Sequence, residues 1–202
     1  MSDTFNLAVK IIRSGGVIVY PTETFWGLGG LGTSSEVVKK IRSLKNRPLH
    51  KPFPLIAGNL KQALDFVSFN KDGLELAQSF WPASLSILAG ASSLLVEGVR
   101  DKKGLVSIRV PPHPETARLC LAAGAPLIAT SANISGEKPC AEKKELNPDL
   151  VRRADMILEM NQAPEGRLPS TLVRIAGPGK IEILREGRVS RNELERSGWT
   201  TV

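Results

Sequence analysis

Four short polar clusters stand where apolar runs end: Thr22-Glu23-Thr24, the cations Lys45, Arg47 and Lys51, Ser131-Ala132-Asn133, and Ser170-Thr171. Arg109 falls inside an alternating segment, on the face opposite Val106, Ile108 and Val110, and Arg185 closes another such segment. A charged residue so placed points either to solvent or into a polar cavity on one side of a sheet. Lys45-x-Arg47, directly before Pro48, is an extended pair of cations. The arginine offers phosphate oxygens a planar fork and the lysine a point charge. Such a pair is also common as solvated charge at a helix end, so its meaning depends on what converges on it. Hydroxyls, amides and cations suit phosphoryl or nucleotidyl transfer, which needs positioning and charge neutralisation more than a nucleophile.

Other chemistries find less support. Gly27, Gly29, Gly30 and Gly32 have the wrong spacing for G-x-G-x-x-G, and no G-K-[ST] occurs, so a Rossmann or P-loop nucleotide site is rejected. His50 lies in a basic loop and His113 between prolines, neither with a Ser or Cys partner in sequence; His113 reads as helix-start architecture. Cys120 sits on an apolar helix face and reads as core, whereas Cys140, in a polar loop, reads as a surface thiol. Two cysteines without C-x-x-C spacing argue against a disulfide framework or a structural zinc site. The acids are scattered, which leaves no paired-carboxylate site.

Positioning these groups falls to a chain of 202 residues, 42% hydrophobic and 23% charged, long enough for one domain with a proper core. The net charge of +7 favours anionic partners, although a dispersed basic surface would give the same total. The N-terminus, MSDTFNLAVKIIRSGG, resembles no signal peptide, and no apolar run is of membrane-spanning length; the expectation is a cytoplasmic protein.

Helical spacing is predicted over 5–13, 34–46, 59–66, 72–80, 114–123, 148–154 and 190–196, with Ser34 as a start signal and Pro114 at a first helical position. Strands are predicted over 17–20, 54–57, 84–88, 106–110, 126–130 and 156–158, with a hairpin of 171–175 and 181–185 around Gly177-Pro178-Gly179. Interleaved strands and helices make this α/β, a twisted mixed sheet with flanking helices in one domain over 1–202. The stretch VIVYPTETFWGLGG, Val17 to Gly30, reads as a strand stopped at Pro21 and followed by a glycine-relaxed turn, a usual place for a ligand. Glu23 beside an anionic ligand needs a cationic partner, for which Lys45 or Arg47 is expected.

Together the segments YPTETFWGLG (Tyr20–Gly29), LKNRP with Lys45 and Arg47, SIRVPPHP (Ser107–Pro114), TSANISG (Thr130–Gly136), PSTLV (Pro169–Val173) and ILREG (Ile183–Gly187) resemble, in order, the YrdC/TsaC family. The resemblance covers nearly the whole chain and is to the short form without an extra C-terminal domain. It implies a twisted sheet curled around a basic cavity. The implied activity joins L-threonine, bicarbonate (or CO2) and ATP into threonylcarbamoyl-AMP and pyrophosphate, for the threonylcarbamoyladenosine modification of tRNA.

Carried over by residue, it implies that Thr22, Arg109 and Ser170 hold L-threonine, with Arg109 on its carboxylate. Lys45, Arg47, Lys51, Ser131, Asn133 and Arg185 would line ATP, and Lys45 and Arg47 would be catalytic. ATP and bicarbonate bring about five negative charges, which a cavity needs fixed cations and Mg2+ to hold. Mg2+ is expected on the ATP phosphates with no protein-held metal, and no tightly bound organic cofactor is expected. Partner transferase proteins for tRNA modification are implied, with tRNA or double-stranded RNA as a further candidate partner and no membrane. The sequence departs from the family pattern at Leu105-Val106, at Trp81-Pro82-Ala83-Ser84-Leu85-Ser86 and at Trp26. A different class remains open: a double-stranded RNA-binding or ribosome-maturation protein using the same basic concavity. It lacks the basic run interleaved with aromatics that stacks bases.

Overall fold

The computed structural model describes residues 3–202. Met1 and Ser2, the start of the segment read above as lacking a signal peptide, lie outside the described residues.

Helix α1 (Asp3–Arg13) buries Phe5, Ala8 and Ile12 on one stripe. Strands β1 (Ile18–Pro21) and β2 (Trp26–Gly29) form an antiparallel hairpin. Helix α2 (Ser35–Lys45) starts where Ser34 accepts from the Val37 N–H, and ends as Asn46 turns left-handed at φ 49°. Then come β3 (Leu55–Ile56), α3 (Leu60–Leu64), β4 (Val67–Ser68), α4 (Lys71–Phe80), β5 (Leu85–Ala91) and β6 (Leu105–Arg109). Helix α5 (Pro114–Ala123) is capped by the His113 ring, which accepts from the Thr116 N–H, as its helix-start reading expects. The short strands β7 (Leu127–Ile128) and β8 (Thr130–Ser131) precede α6 (Pro148–Arg153) and β9 (Met156–Ile157). The chain closes with the hairpin β10 (Thr171–Gly177) and β11 (Lys180–Arg185), then α7 (Arg191–Arg196) and β12 (Thr200–Thr201).

The expected mixed sheet is two mixed sheets. One runs β8-β2-β1-β9 and the other β12-β11-β10-β5-β6-β3-β7, with β4 beside β5. Parallel pairs (β1 with β9, β5 with β10, β3 with β6) sit beside antiparallel ones in both. The run predicted as one strand over 126–130 crosses between them: Leu127-Ile128 pairs with β3 in the large sheet and Thr130-Ser131 with β2 in the small one. Val19, Leu28, Ile41, Leu55, Ile108 and Ile128 belong to one buried cluster that joins the two sheets.

A second correction concerns the glycines after Phe25. Gly27 and Gly29 belong to strand β2, not to a relaxed turn, Gly30 follows it, and the turn is Thr22–Phe25. Gly27 faces the Tyr20 ring, and a Cβ at Gly29 would lie 1.7 Å from the Ile128 carbonyl oxygen. Gly29 admits a neighbouring backbone and the Tyr20 hydroxyl, which any side chain would exclude, whereas a Cβ at Gly27 would meet Tyr20 no closer than 3.4 Å. Tyr20 uses that space to donate from Oη to the Ile128 oxygen at 2.6 Å.

Candidate functional site

A cavity of about 430 Å3 is walled by both sheets. From the small sheet come Thr22, Thr24, Trp26, Gly27, Thr130 and Ser131; from the large one come Leu88, Leu105, Ser107, Arg109, Leu172 and Arg185. The loop after α2 adds Arg47, Pro52 and Phe53, and the segment before β10 adds Pro169 and Ser170.

Arg109 shares a face of β6 with Ser107, so the alternation that set it apart in sequence turns it into the cavity and not to solvent. It is 4% exposed. Its Nε donates to Glu23 Oε1 at 3.1 Å, and Ser84 Oγ donates to the same oxygen at 2.9 Å. Arg109 Nη1 and Nη2 carry no protein hydrogen bond among the described residues. The partner of Glu23 is thus Arg109, not Lys45 or Arg47, because the Thr22–Phe25 turn directs the carboxylate at the large sheet.

The other expected residues are placed unevenly. Thr22 Oγ1 donates to the Phe25 carbonyl at 2.8 Å and accepts from the Thr24 and Phe25 N–H groups, so its hydroxyl closes the turn at the cavity wall. Arg185 Nε and Nη2 donate to the Ser170 carbonyl at 3.1 and 2.7 Å, and Nη2 also reaches Ser170 Oγ at 3.0 Å. Burial, and next the charge of Arg109, lower the Arg185 pKa. Arg47 donates to the Lys51 and Pro52 carbonyls and lies 4.9 Å above the Phe53 ring, a cation–π contact at the cavity edge. Burial, with Arg42 nearby, lowers its pKa as well. Ser131 lines the cavity, whereas Lys45, Lys51 and Asn133 are not among its lining residues.

Lys45 is 2% exposed and stands behind the Ser131 wall. Its Nζ donates to the Ser131 carbonyl and, at 2.5 Å, to that of Asn133. Burial first, then the charge of Arg47, lower its pKa to about 8. Asn133 Nδ2 donates to the Ile134 and Glu137 carbonyls, both at 2.8 Å, while its buried Oδ1 has no partner. Lys51 stays on the exposed loop, contributing its carbonyl to Arg47.

Sequence reasoning passed over Trp26 and Phe53 as cavity walls and Ser84 and Ser86 as supports. Ser86 Oγ lies 3.1 Å from Ser170 Oγ. The signal for the serines was available: they fill the segment where the chain departs from the family pattern. Cys140 is a correction too. It is buried, its Sγ 3.1 Å from the Glu145 carbonyl, and burial raises its thiol pKa, so it is no surface thiol. Cys120 is core, as its helix face indicated.

The family model described as "Telomere recombination" (Sua5_yciO_yrdC) matches residues 10–187. A threonylcarbamoyl-AMP synthase of Pseudomonas putida is 37% identical over 182 residues, covering 89% of this chain and 95% of that protein. One from Stenotrophomonas maltophilia is 36% identical over 159 residues, 77% of this chain and 86% of its own. Among solved structures, P. abyssi Sua5 complexed with L-threonine superposes with a TM-score of 0.87 at 26% identity over 95% of this chain, which spans 56% of that protein's length. A match to the family model over most of the length, and relatives of this identity aligned nearly end to end, make the chain a member of the Sua5/YciO/YrdC family.

Proposed function

We propose that the protein is a threonylcarbamoyl-AMP synthase that makes its product from L-threonine, bicarbonate (or CO2) and ATP for the threonylcarbamoyladenosine modification of tRNA. The observation that carries this reading is Arg109, a nearly buried guanidinium whose Nη1–Nη2 edge is left open in a cavity that also holds Arg47 and Arg185. One planar fork for a carboxylate and separate cations for a polyphosphate are what joining an amino acid to a nucleotide requires. The names of the curated relatives, and the L-threonine complex of P. abyssi Sua5, support the same assignment.

In this reading Arg109 takes the carboxylate of L-threonine, with Ser170 and the Thr22 turn completing that end. Arg47 and Arg185 neutralise the phosphates, with Ser131 beside them and Lys51 as an outlying cation. Lys45 and Asn133 act from behind the wall by holding the 131–137 loop that presents Ser131. The neutral threonine amine forms a C–N bond to CO2 with loss of a proton, or to bicarbonate with loss of water, to give a carbamate. A carbamate oxygen then attacks the α-phosphorus of ATP, forming the new P–O bond as the bond to pyrophosphate breaks, with no covalent enzyme intermediate.

Among the described residues no group of three or more His, Cys, Asp or Glu is placed to hold a metal ion. Mg2+ is therefore proposed to enter on the phosphate oxygens of ATP, as part of that substrate. Hand-over of the labile mixed anhydride to a tRNA-modifying transferase, and work in the cytoplasm, belong to the same proposal. Among the described residues no helix is long and apolar enough to cross a membrane. The test is pyrophosphate release from MgATP by the pure protein, which should require both L-threonine and bicarbonate; release independent of either, or none at all, would overturn the reading.

A further inference from the structure

Three arginines face one cavity, and only one of them has an acid. Arg109 is paired with Glu23, whose side chain is 2% exposed, at 3.1 Å. Arg47 and Arg185 spend their hydrogen bonds on backbone carbonyls and the Ser170 hydroxyl, and neither has an acidic partner among the described residues. Glu23 is held firmly. Ser84 Oγ donates to its Oε1, Arg188 Nη1 donates to its carbonyl at 3.0 Å, and the Glu165 N–H reaches the same carbonyl at 3.3 Å. Its second carboxylate oxygen, Oε2, is buried with no partner. A carboxylate kept there half-satisfied weakens the fold, so packing does not explain it.

The electrostatic consequence differs between the paired arginine and the unpaired ones. Arg47 and Arg185 outweigh the one acid among the lining residues, Asp101, whose Oδ1 accepts from the Lys103 and Leu105 N–H groups, and so present net positive charge, which suits a polyanion. Arg109 with Glu23 directly behind it presents a dipole, positive toward the cavity and neutral overall. A zwitterionic amino acid loses little to the carboxylate behind Arg109, because its own ammonium offsets the repulsion. A phosphate has no such offset and meets the full opposing charge.

We propose that Glu23 is a specificity-determining residue: by neutralising Arg109 it makes that guanidinium a seat for the carboxylate of a zwitterionic amino acid and a poor one for phosphate, which is left to the unpaired Arg47 and Arg185. This rests on reading the cavity as the joint site of L-threonine and ATP. Holding Nε also fixes which edge of Arg109 is offered, Nη1–Nη2, for a carboxylate to bridge.

The experiment is calorimetric binding of L-threonine, with and without inorganic phosphate and without ATP, to the wild type, Glu23→Gln and Glu23→Asp. In Glu23→Gln, which keeps the shape and removes the charge, phosphate should become a competitor of L-threonine. The ratio of the two affinities should shift at least tenfold toward phosphate, while Glu23→Asp keeps the wild-type preference. Glu23→Gln with an unchanged ratio overturns the inference and leaves the proposed function standing. A wild type that binds ATP but not L-threonine overturns the proposed function, and this inference with it. If Glu23→Gln fails to fold, Glu23→Gln/Arg109→Gln must recover the fold, because the fault is then an unpaired guanidinium; failure of that double variant assigns Glu23 to packing and overturns the inference.

Discussion

Lys45→Met tests whether Lys45 is a buried anchor or a cation on offer to a ligand. The Nζ group is almost fully withdrawn from solvent and donates to the Ser131 and Asn133 carbonyls. Its pKa falls from an ordinary lysine's 10.5 to about 8, chiefly through burial. Below pH 8 both the folded and unfolded chains carry the proton, and the folded state bears the whole cost of the buried charge, about 3 kcal/mol for that shift. Between 8 and 10.5 the unfolded chain binds more protons than the folded one, so stability rises with pH. The unfavourable contribution is gone above 10.5.

Urea unfolding of the wild type and Lys45→Met at pH 7.5 and pH 10 isolates this effect, since every other titrating group is common to both proteins. The wild type should gain about 2 kcal/mol on the variant across that interval. A gap that stays constant would mean that Lys45 titrates as an exposed side chain does and is free to meet a ligand. A gap that shifts the other way would mean that its charge is stabilised, by an acid or by bound anion. Either result refutes the anchor.

Arg47→Ala should lower kcat/KM for ATP by about a hundredfold in the pyrophosphate-release assay, whereas Lys143→Ala, whose ammonium meets Glu159 at the surface, should leave it unchanged; equal losses would refute the placement of the phosphates. Arg109→Ala should raise KM for L-threonine by about tenfold or more, with KM for ATP little altered. Because it strands Glu23, it should also cost about 3 kcal/mol in chemical denaturation. Gly29→Ala forces a methyl group within 1.7 Å of the Ile128 oxygen, so a loss of about 4 kcal/mol or more, or no folded protein, is expected; a melting temperature close to the wild type's would show that the β2 glycines are not required by packing.

Helices and their caps were legible because their signals are local. Ser34, Pro114 and the stripe Val37, Val38, Ile41, Leu44 carry their own instructions. The division into two sheets was not legible. It depends on two-residue strands such as β7 and β8, too short to show a period, and on where Ala129 redirects the chain: its N–H goes to the Pro54 carbonyl. Strand β2 was hidden because glycine signals a turn, and only the Ile128 carbonyl, far off in sequence, explains Gly29. At the site, alternation along β6 isolated Arg109 but could not choose between solvent and cavity. The partner of Glu23 was beyond reach for the same reason, since 86 residues separate it from Arg109. Lys45 and Arg47, two residues apart, read as a matched pair, yet the helix end at Asn46 sends one behind the wall and the other along it.

That last separation has a chemical sense. The wall cations are all arginines, and Lys45 stands behind them. Arg185 lies in the field of Arg109, and Arg47 in that of Arg42, so these two wall cations are pushed by burial and by a neighbour toward losing their protons. A guanidinium withstands this because its ordinary value is so high that a lowered one still leaves it charged at any working pH. An ammonium has less margin: burial and the charge of Arg47 bring Lys45 down to about 8. A lysine exchanged into the position of Arg47 or Arg185 would therefore risk becoming neutral in the empty cavity, and an incoming polyanion would first have to recharge it. Repulsion among the arginines, by contrast, cannot be discharged by proton loss, so only a bound anion relieves it. Placing arginine in the wall and lysine behind it, on two carbonyls that accept from it in either protonation state, keeps the charge of the wall itself constant with pH.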